Sequence, residues 1–281
     1  MKFTSSVKKI NIGERDIKII ILDSRIDKTK KVPCIMWIHG GGYSLGMPEM
    51  VYASRVRDLL VDNELIVISP KYRLSINNPY PAALEDCYGV LLYLKNHTDE
   101  FSIDEDKIML GGESAGGGLC LATGIYARDK GEVSVKYMFP LYPMIDCFDT
   151  ESSRDNHAHV WNTKKNHWAW KKYLGDLYGS EDISSYASPA RLKEFKGLPP
   201  FYTFVCDGEP FYSETVDFTN KAKESGVDAK CDVYHANTHA FDVYCAHTEE
   251  GTRARENFIK NFEYVKTVSY THLTLPTKLE V

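Results

Sequence analysis

One pentapeptide constrains this 281-residue chain more than any other feature: Gly112-Glu113-Ser114-Ala115-Gly116 places a serine between two glycines. It directly follows a mostly apolar run at 107–110, which is typical of a buried strand. A strand that turns sharply into a helix forces the turning residue into strained backbone geometry, and flanking glycines keep that turn free of side-chain clashes. The pattern predicts a strand, a turn at Ser114 with its hydroxyl exposed, and a helix. A glycine-rich helix start is the alternative interpretation.

Composition and charge describe an ordinary globular protein with one substantial core, because 43% of the residues are hydrophobic and 26% are charged. The net charge is −5, and no long run of lysines or arginines offers a surface for polyanions, so we expect no nucleic-acid partner. The first residues lack the apolar segment of a signal peptide, and no later run approaches transmembrane length. We therefore expect no membrane partner and a cytoplasmic location.

The seven cysteines are scattered, mostly within apolar patterns, and no Cys-x-x-Cys pair indicates zinc or a redox dithiol. We predict reduced, mostly buried thiols, no metal and no cofactor. The cysteines are Cys34, Cys87, Cys120, Cys147, Cys206, Cys231 and Cys245.

Strand-like and helix-like patterns alternate along most of the chain, beginning with two short extended stretches that read as a hairpin. The predicted strands are 7–12, 17–22, 33–38, 65–69, 107–110, 135–141, 201–206 and 229–235. The predicted helices are 50–61, one that opens at Pro81, 119–127, 213–225 and 242–265. This alternation favours a mostly parallel sheet covered by helices on both faces.

Residues 146–197 break the alternation with a long, polar stretch that contains Trp161, Trp168 and Trp170, with helical spacing at 168–177. An insertion of this length between two strands is typical of a lid or cap. Its aromatic side chains would hold the cap together or line a pocket. Three histidines in the segment are predicted to lie on the surface: His157, His159 and His167.

The last residues, 268–281, fit none of these patterns and resemble a translated adaptor sequence, or else an ordinary disordered tail. The predicted organisation is one domain over residues 1–267, including the 146–197 insertion, followed by this tail. We expect that a chain ending at about residue 267 keeps its activity.

Acyl transfer needs a nucleophile, a base oriented by an acid, and donors for the developing oxyanion. Ser114 is the candidate nucleophile. His239 lies in the loop after the last predicted strand, where it can reach the same end of a parallel sheet, so it is the candidate general base. The acid should follow the preceding strand, and there Asp207 and Glu209 are both candidates in the order serine, acid, histidine. For the other carboxylate, a favourable charge near a helix N-terminus is the simplest interpretation.

A glycine run, His39-Gly40-Gly41-Gly42, follows the predicted strand 33–38. Consecutive glycines let backbone N–H groups turn toward a bound anion, so Gly41 and Gly42, together with Ala115, are the candidate oxyanion donors. A phosphate-binding loop is the alternative interpretation. No Gly-Lys-Ser/Thr sequence or dinucleotide fingerprint supports it.

Five ordered motifs together resemble the hormone-sensitive-lipase-type esterases of the α/β-hydrolase superfamily, and the resemblance spans about 32–262. The motifs are His39-Gly40-Gly41-Gly42-Tyr43, Tyr72-Arg73-Leu74, Tyr80-Pro81-Ala82-Ala83-Leu84-Glu85-Asp86, the segment 112–117, and His239-Ala240-Phe241. The resemblance implies an α/β-hydrolase fold: a mostly parallel central sheet flanked by helices, with a small helical cap inserted late in the sheet.

In that family the acid opens an Asp-Pro-Leu-x-Asp-Glu motif, with which Glu209-Pro210-Phe211-Tyr212-Ser213-Glu214 aligns. The resemblance therefore favours Glu209 as the triad acid, with Asp207 as the alternative. Glutamate departs from the usual aspartate but is an accepted variant. Similar family members also carry cap helices ahead of the first strand, whereas here the cap must come mainly from 146–197.

The sequence thus predicts a serine esterase for short-chain acyl esters, acetyl esters among them, that forms an acyl-enzyme. An amidase or peptidase is the alternative within the fold, and a non-catalytic binding homologue is disfavoured because His239 is present. The expected partner is a small-molecule ester, and a homo-oligomer is left open.

Overall fold

The computed structural model describes residues 3–271, with side chains up to residue 266, and its centre is an eight-stranded sheet. The order across the sheet is β1-β2-β4-β3-β5-β6-β7-β8. The strands are β1 Thr4–Asn11, β2 Asp16–Asp23, β3 Val32–Ile38, β4 Ile66–Pro70, β5 Ile103–Glu113, β6 Met138–Leu141, β7 Phe201–Cys206 and β8 Ala229–Tyr234.

The sheet is antiparallel at one edge and parallel elsewhere. Strand β1 pairs with β2 in the predicted hairpin, and β2 pairs antiparallel with β4. From β4 through β3, β5, β6 and β7 to β8 all neighbours are parallel. Every residue of β4 and of β7 is buried, which explains why these strands read as continuous apolar runs. The predicted α/β fold with a mostly parallel sheet is confirmed.

Helices cover both faces of the sheet. They are α1 Val56–Leu59, α2 Ala82–Asn96, α3 Thr98–Phe101, α4 Ala115–Lys130, α5 Thr163–Leu174, α6 Tyr212–Glu224, α7 Phe241–Tyr244 and α8 Glu249–Thr271. One core contains Leu91 of α2 and Leu119 of α4, and the other contains Leu59 of α1 and Phe258 of α8. None of the helices among residues 3–271 combines the length and apolarity that crossing a bilayer requires.

Two predicted helices are broken in the structure. The predicted helix 50–61 is a 3₁₀ turn, Pro48–Tyr52, followed by the single turn of α1. Between them, the Ser54 hydroxyl donates to the Val51 carbonyl, and the Arg55 N–H donates to the Glu113 side chain. A helix continuous with the preceding turn would need that N–H for its own ladder.

The predicted last helix, 242–265, is α7 and α8 with a turn between them. Thr248 caps α8, because its hydroxyl oxygen accepts the Gly251 N–H at 3.1 Å. A methyl group at Gly251 would lie 2.4 Å from the Cys245 carbonyl oxygen, so the two helices meet at a tight corner. Helix α8 extends to Thr271, so residues 268–271, assigned to the tail, continue that helix. The rest of the predicted tail, 272–281, lies outside the described residues.

The insertion, residues 146–197, lies between β6 and β7 and consists largely of turns around α5. Helix α5 begins earlier than the predicted 168–177, because the Asn162 side chain accepts the Lys165 N–H and caps the first turn. Of the predicted buried thiols, those of Cys34, Cys87, Cys120 and Cys206 are buried, and the other three are partly buried.

Candidate active site

Ser114 occupies the turn between β5 and α4, as the pentapeptide predicts. Its backbone lies at φ +59° and ψ −123°, a conformation that non-glycine residues rarely adopt. A methyl group at Gly116 would lie 2.1 Å from the Ile38 carbonyl oxygen, and one at Gly112 would lie 2.4 Å from the Gly116 carbonyl oxygen. Both glycines are therefore required for the elbow to pack against β3.

His239 follows β8 and reaches the serine, as predicted. Its Nε2 lies 2.9 Å from the Ser114 Oγ. Both side chains are buried, so the prediction of an exposed Ser114 hydroxyl is wrong. The rings of Tyr142 and Phe211 pack edge-on to the imidazole, with centroids 5.2 and 5.0 Å away. These contacts fix the plane of the imidazole beside the hydroxyl.

The two candidate carboxylates after β7 point in different directions. A Glu209 carboxylate oxygen contacts the His239 Nδ1, and its other oxygen accepts the Cys206 N–H at 3.1 Å. Glu209 is fully buried. Asp207 instead pairs with Nδ1 of the exposed His235 at 2.7 Å and accepts the Ala236 N–H. The structure thus brings Glu209, and not Asp207, into line with His239 and Ser114.

The glycine run after β3 lies directly against the serine. A methyl group at Gly40 would lie 3.2 Å from the Ser114 Cβ. Gly41 and Gly42 have φ values of +114° and +57°, which favour glycine. Within residues 3–271, the backbone N–H groups of Gly41, Gly42 and Ala115 donate to no protein acceptor. The glycine run and the residue after Ser114 therefore supply three free N–H donors.

His39 at the start of the glycine run supports the loop. Its Nδ1 lies 2.8 Å from the Gly40 carbonyl oxygen, and its ring stacks on Tyr72, whose hydroxyl donates to the His39 carbonyl at 3.0 Å. Burial lowers the pKa of His39 to about 4, so the imidazole is neutral at pH 7. This histidine acts as a fixed hydrogen-bonding support.

A second group of ionisable side chains lies behind the triad, and the sequence reasoning missed it. The Arg55 N–H donates to a Glu113 carboxylate oxygen at 2.9 Å, and its Nε lies 3.0 Å from an Asp242 carboxylate oxygen. Burial raises the pKa of Glu113 to about 8, and the negative charge of Asp242 is the next largest cause of the increase. Burial also raises the pKa of Asp242 to about 6, against the lowering effect of Arg55. The available signal was position: Glu113 precedes Ser114, and Asp242 lies three residues after His239.

Glu214 anchors the loop after β6, a role that the sequence did not reveal. One of its carboxyl oxygens accepts the N–H groups of Ile145 and Asp146 at 2.6 and 3.1 Å. Burial raises the pKa of this carboxyl well above its usual range. In the same loop the Met144 N–H donates to the Ser114 carbonyl at 3.1 Å, so the clamp steadies the nucleophile turn.

The aromatic residues of the insertion have different surroundings. Trp170 is buried in the core, whereas Trp168 is 41% exposed. Trp161 is partly buried, against the glycine loop and near His239. The three insertion histidines lie on the surface, as predicted: His157, His159 and His167.

Comparison with known proteins identifies the class. A family model described as an α/β-hydrolase fold matches residues 35–243, which is most of the chain. The chain therefore belongs to this family, the hormone-sensitive-lipase-like α/β-hydrolases, and the predicted resemblance is confirmed. It has the fold of a serine hydrolase and is an enzyme of the carboxylic ester hydrolase class.

Individual relatives agree with this class. An arylesterase of Saccharolobus solfataricus is 29% identical over 250 residues, which cover 84% of this chain and 79% of the relative. Among solved structures, a bacterial heroin esterase has a TM-score of 0.85 at 29% identity, covering 91% of this chain and 83% of its own. An esterase of the archaeon Pyrobaculum calidifontis has a TM-score of 0.84 at 26% identity, covering 95% of this chain and 84% of its own.

Proposed function

We propose that this enzyme hydrolyses short-chain acyl esters through an acyl-enzyme at Ser114. The observation that carries the proposal is the continuous contact from Glu209 through His239 to Ser114. The Ser114 Oγ attacks the ester carbonyl carbon while His239 Nε2 removes the hydroxyl proton. When the tetrahedral intermediate collapses, the alcohol leaves with that proton. A water molecule, deprotonated by the same nitrogen, then attacks the acyl-enzyme and releases the carboxylic acid and the free serine.

In this proposal Glu209 holds the imidazole in the tautomer that leaves Nε2 free to accept a proton. It also stabilises the imidazolium that forms during each half of the reaction. The Cys206 N–H bond to its second oxygen supports this role, because it fixes the carboxylate in place. Asp207 has no such role, since it faces the exposed His235.

The free N–H groups of Gly41, Gly42 and Ala115 are proposed as the oxyanion donors. Gly41 and Gly42 lie on a loop whose conformation is preset, and Ala115 is the first residue of α4, so donating to the intermediate requires no reorganisation. One such donor typically contributes about 2.7–4 kcal/mol to the transition state.

We further propose that the insertion acts as a cap over this site. Support comes from Asn156, whose side-chain N–H donates to the Gly208 carbonyl at 3.1 Å, and from the Ser152 hydroxyl, which donates to the Pro210 carbonyl at 2.7 Å. Both contacts attach the insertion to the turn that carries Glu209. A covered site of this kind suits small esters. The names of the relatives support ester substrates and do not identify the acyl group.

Labelling with a fluorophosphonate probe, combined with p-nitrophenyl acetate hydrolysis, tests the proposal. The native enzyme should be labelled covalently and should release p-nitrophenol, and Ser114→Ala should lose both properties. Ser134→Ala is the matched control, because Ser134 is exposed and precedes β6 at the opposite end of the sheet. Failure of the native enzyme to react with the probe would overturn the proposal. An arylamide cleaved faster than the matched ester would instead indicate an amidase.

A further inference from the structure

The indole of Trp161 lies against the glycine loop. A methyl group at Gly42 would lie 2.4 Å from the indole Cη2 and 3.0 Å from Cζ2, so the benzo edge rests on the Gly42 backbone. The indole is also near the base, with its centroid 6.4 Å from that of the His239 ring. Trp161 therefore borders the space between the proposed oxyanion donors and the base.

Hydrogen bonds on both sides of Trp161 hold the indole and its loop in place. Its Nε1 donates to the Asn166 side-chain oxygen at 3.3 Å, and Asn166 is buried on α5. On the other side, the Asn156 N–H donates to the Thr163 hydroxyl at 2.7 Å. Phe211 lies behind the indole, with ring centroids 6.4 Å apart. The ring is thus a fixed wall of the site.

The carbonyl carbon of a bound ester carries three substituents, and each must point in a different direction. The carbonyl oxygen must face the N–H groups of Gly41 and Gly42, and the leaving oxygen must face His239 Nε2. The acyl group is the third substituent, and a carbonyl oxygen bound to the Gly42 N–H would hold the first acyl carbon close to the Gly42 backbone. An indole packed on Gly42 occupies volume that a long acyl chain would need.

We propose that Trp161 limits the acyl group to a few carbons and is the residue that sets acyl-chain specificity. This inference rests on the proposed function. Trp161 takes no part in bond making, so shortening its side chain removes a wall and leaves the reacting groups in place.

Hydrolysis of p-nitrophenyl acetate, butanoate and octanoate by Trp161→Ala tests the proposal. The ratio of kcat/KM for octanoate to that for acetate should rise about tenfold or more, because a pocket that rejects extra methylenes by size discriminates to this extent. Trp161→Phe should raise the ratio less, which keeps the test decisive if the alanine variant does not fold. Trp168→Ala is the matched control, because Trp168 is exposed on the same insertion, and it should leave the ratio unchanged.

A second substrate series separates the acyl side from the alcohol side. Acetate esters of phenol, 2-naphthol and ethanol vary only the leaving group, and Trp161→Ala should keep their relative rates. An unchanged octanoate-to-acetate ratio, or a change confined to the alcohol series, would overturn the inference. If the native enzyme is labelled by the probe and cleaves esters, those results contradict only the role of Trp161. If the native enzyme is inert, the proposed function itself is wrong.

Discussion

Two groups of buried carboxyls flank the serine and differ in their cationic partners. In front, Glu209 contacts His239, a side chain that can gain and lose a proton. Behind, Asp242 pairs with the guanidinium of Arg55, whose charge is permanent, and Glu113 accepts the backbone N–H of the same residue. A carboxylate beside a titratable base can support that base in proton transfer, whereas a carboxylate paired with a permanent cation holds two elements together. In the proposed mechanism the front group takes part in catalysis, and we expect the rear group to contribute to stability.

The largest expected effect comes from the front group. Glu209→Gln should lower kcat about a thousandfold or more with little change in melting temperature, because the amide no longer favours the productive tautomer of His239 or its charged form. Asp207→Asn is the matched control, two residues away on the surface, and should change kcat less than about twofold. Steady-state kinetics check both variants. A larger loss in Asp207→Asn than in Glu209→Gln would move the acid assignment to Asp207.

The rear group should show its effect in stability. Arg55→Met leaves Asp242 buried without its cation, and we expect the free energy of unfolding to fall by about 3–5 kcal/mol, measured by urea denaturation. The double variant Arg55→Met/Asp242→Asn removes both charges and should recover part of that loss. Arg57→Met is the control, because Arg57 is exposed. If the double variant were less stable than Arg55→Met, the interpretation of Asp242 as a stranded charge would be wrong.

A third effect is a dependence of stability on pH. The pKa of Glu113 is raised from an ordinary 4.5 to about 8, so the folded state keeps a proton that the unfolded chain releases. Its contribution to stability is therefore lost as the pH rises from about 4.5 to about 8. Glu113→Gln should match the native melting temperature near pH 4.5 and exceed it near pH 9.

Calorimetry across this pH range checks the prediction. Glu105→Gln is the control, because Glu105 is exposed at the other end of β5, and its melting curve should follow that of the native enzyme. A native-like pH dependence in Glu113→Gln would show that another group carries the titration.

The sequence was most informative where the chemistry is local. The elbow at Ser114 was predictable because its glycines are required by contacts within one short turn and with the neighbouring strand. The order of strands along the chain was equally predictable from buried apolar runs. The base His239 followed from its place after the last strand.

Features that depend on distant partners were not predictable. The helix predicted at 50–61 breaks because Arg55 donates its N–H to Glu113, 58 residues away along the chain. The residues alone left Asp207 and Glu209 open, because the choice depends on which side of a turn faces His239, and only the resemblance to the family motif favoured Glu209. The rear group was missed for the same reason, since Arg55 and Asp242 meet only in the folded sheet.

The Asn156 side chain ties the insertion to the Gly208 carbonyl, one residue from the proposed triad acid. A change in the insertion that moves Asn156 therefore acts on the turn that orients the base, whereas a change at Trp161 leaves this contact in place. Engineered exchange of the insertion between relatives should succeed only when the segment 207–210 is exchanged with it.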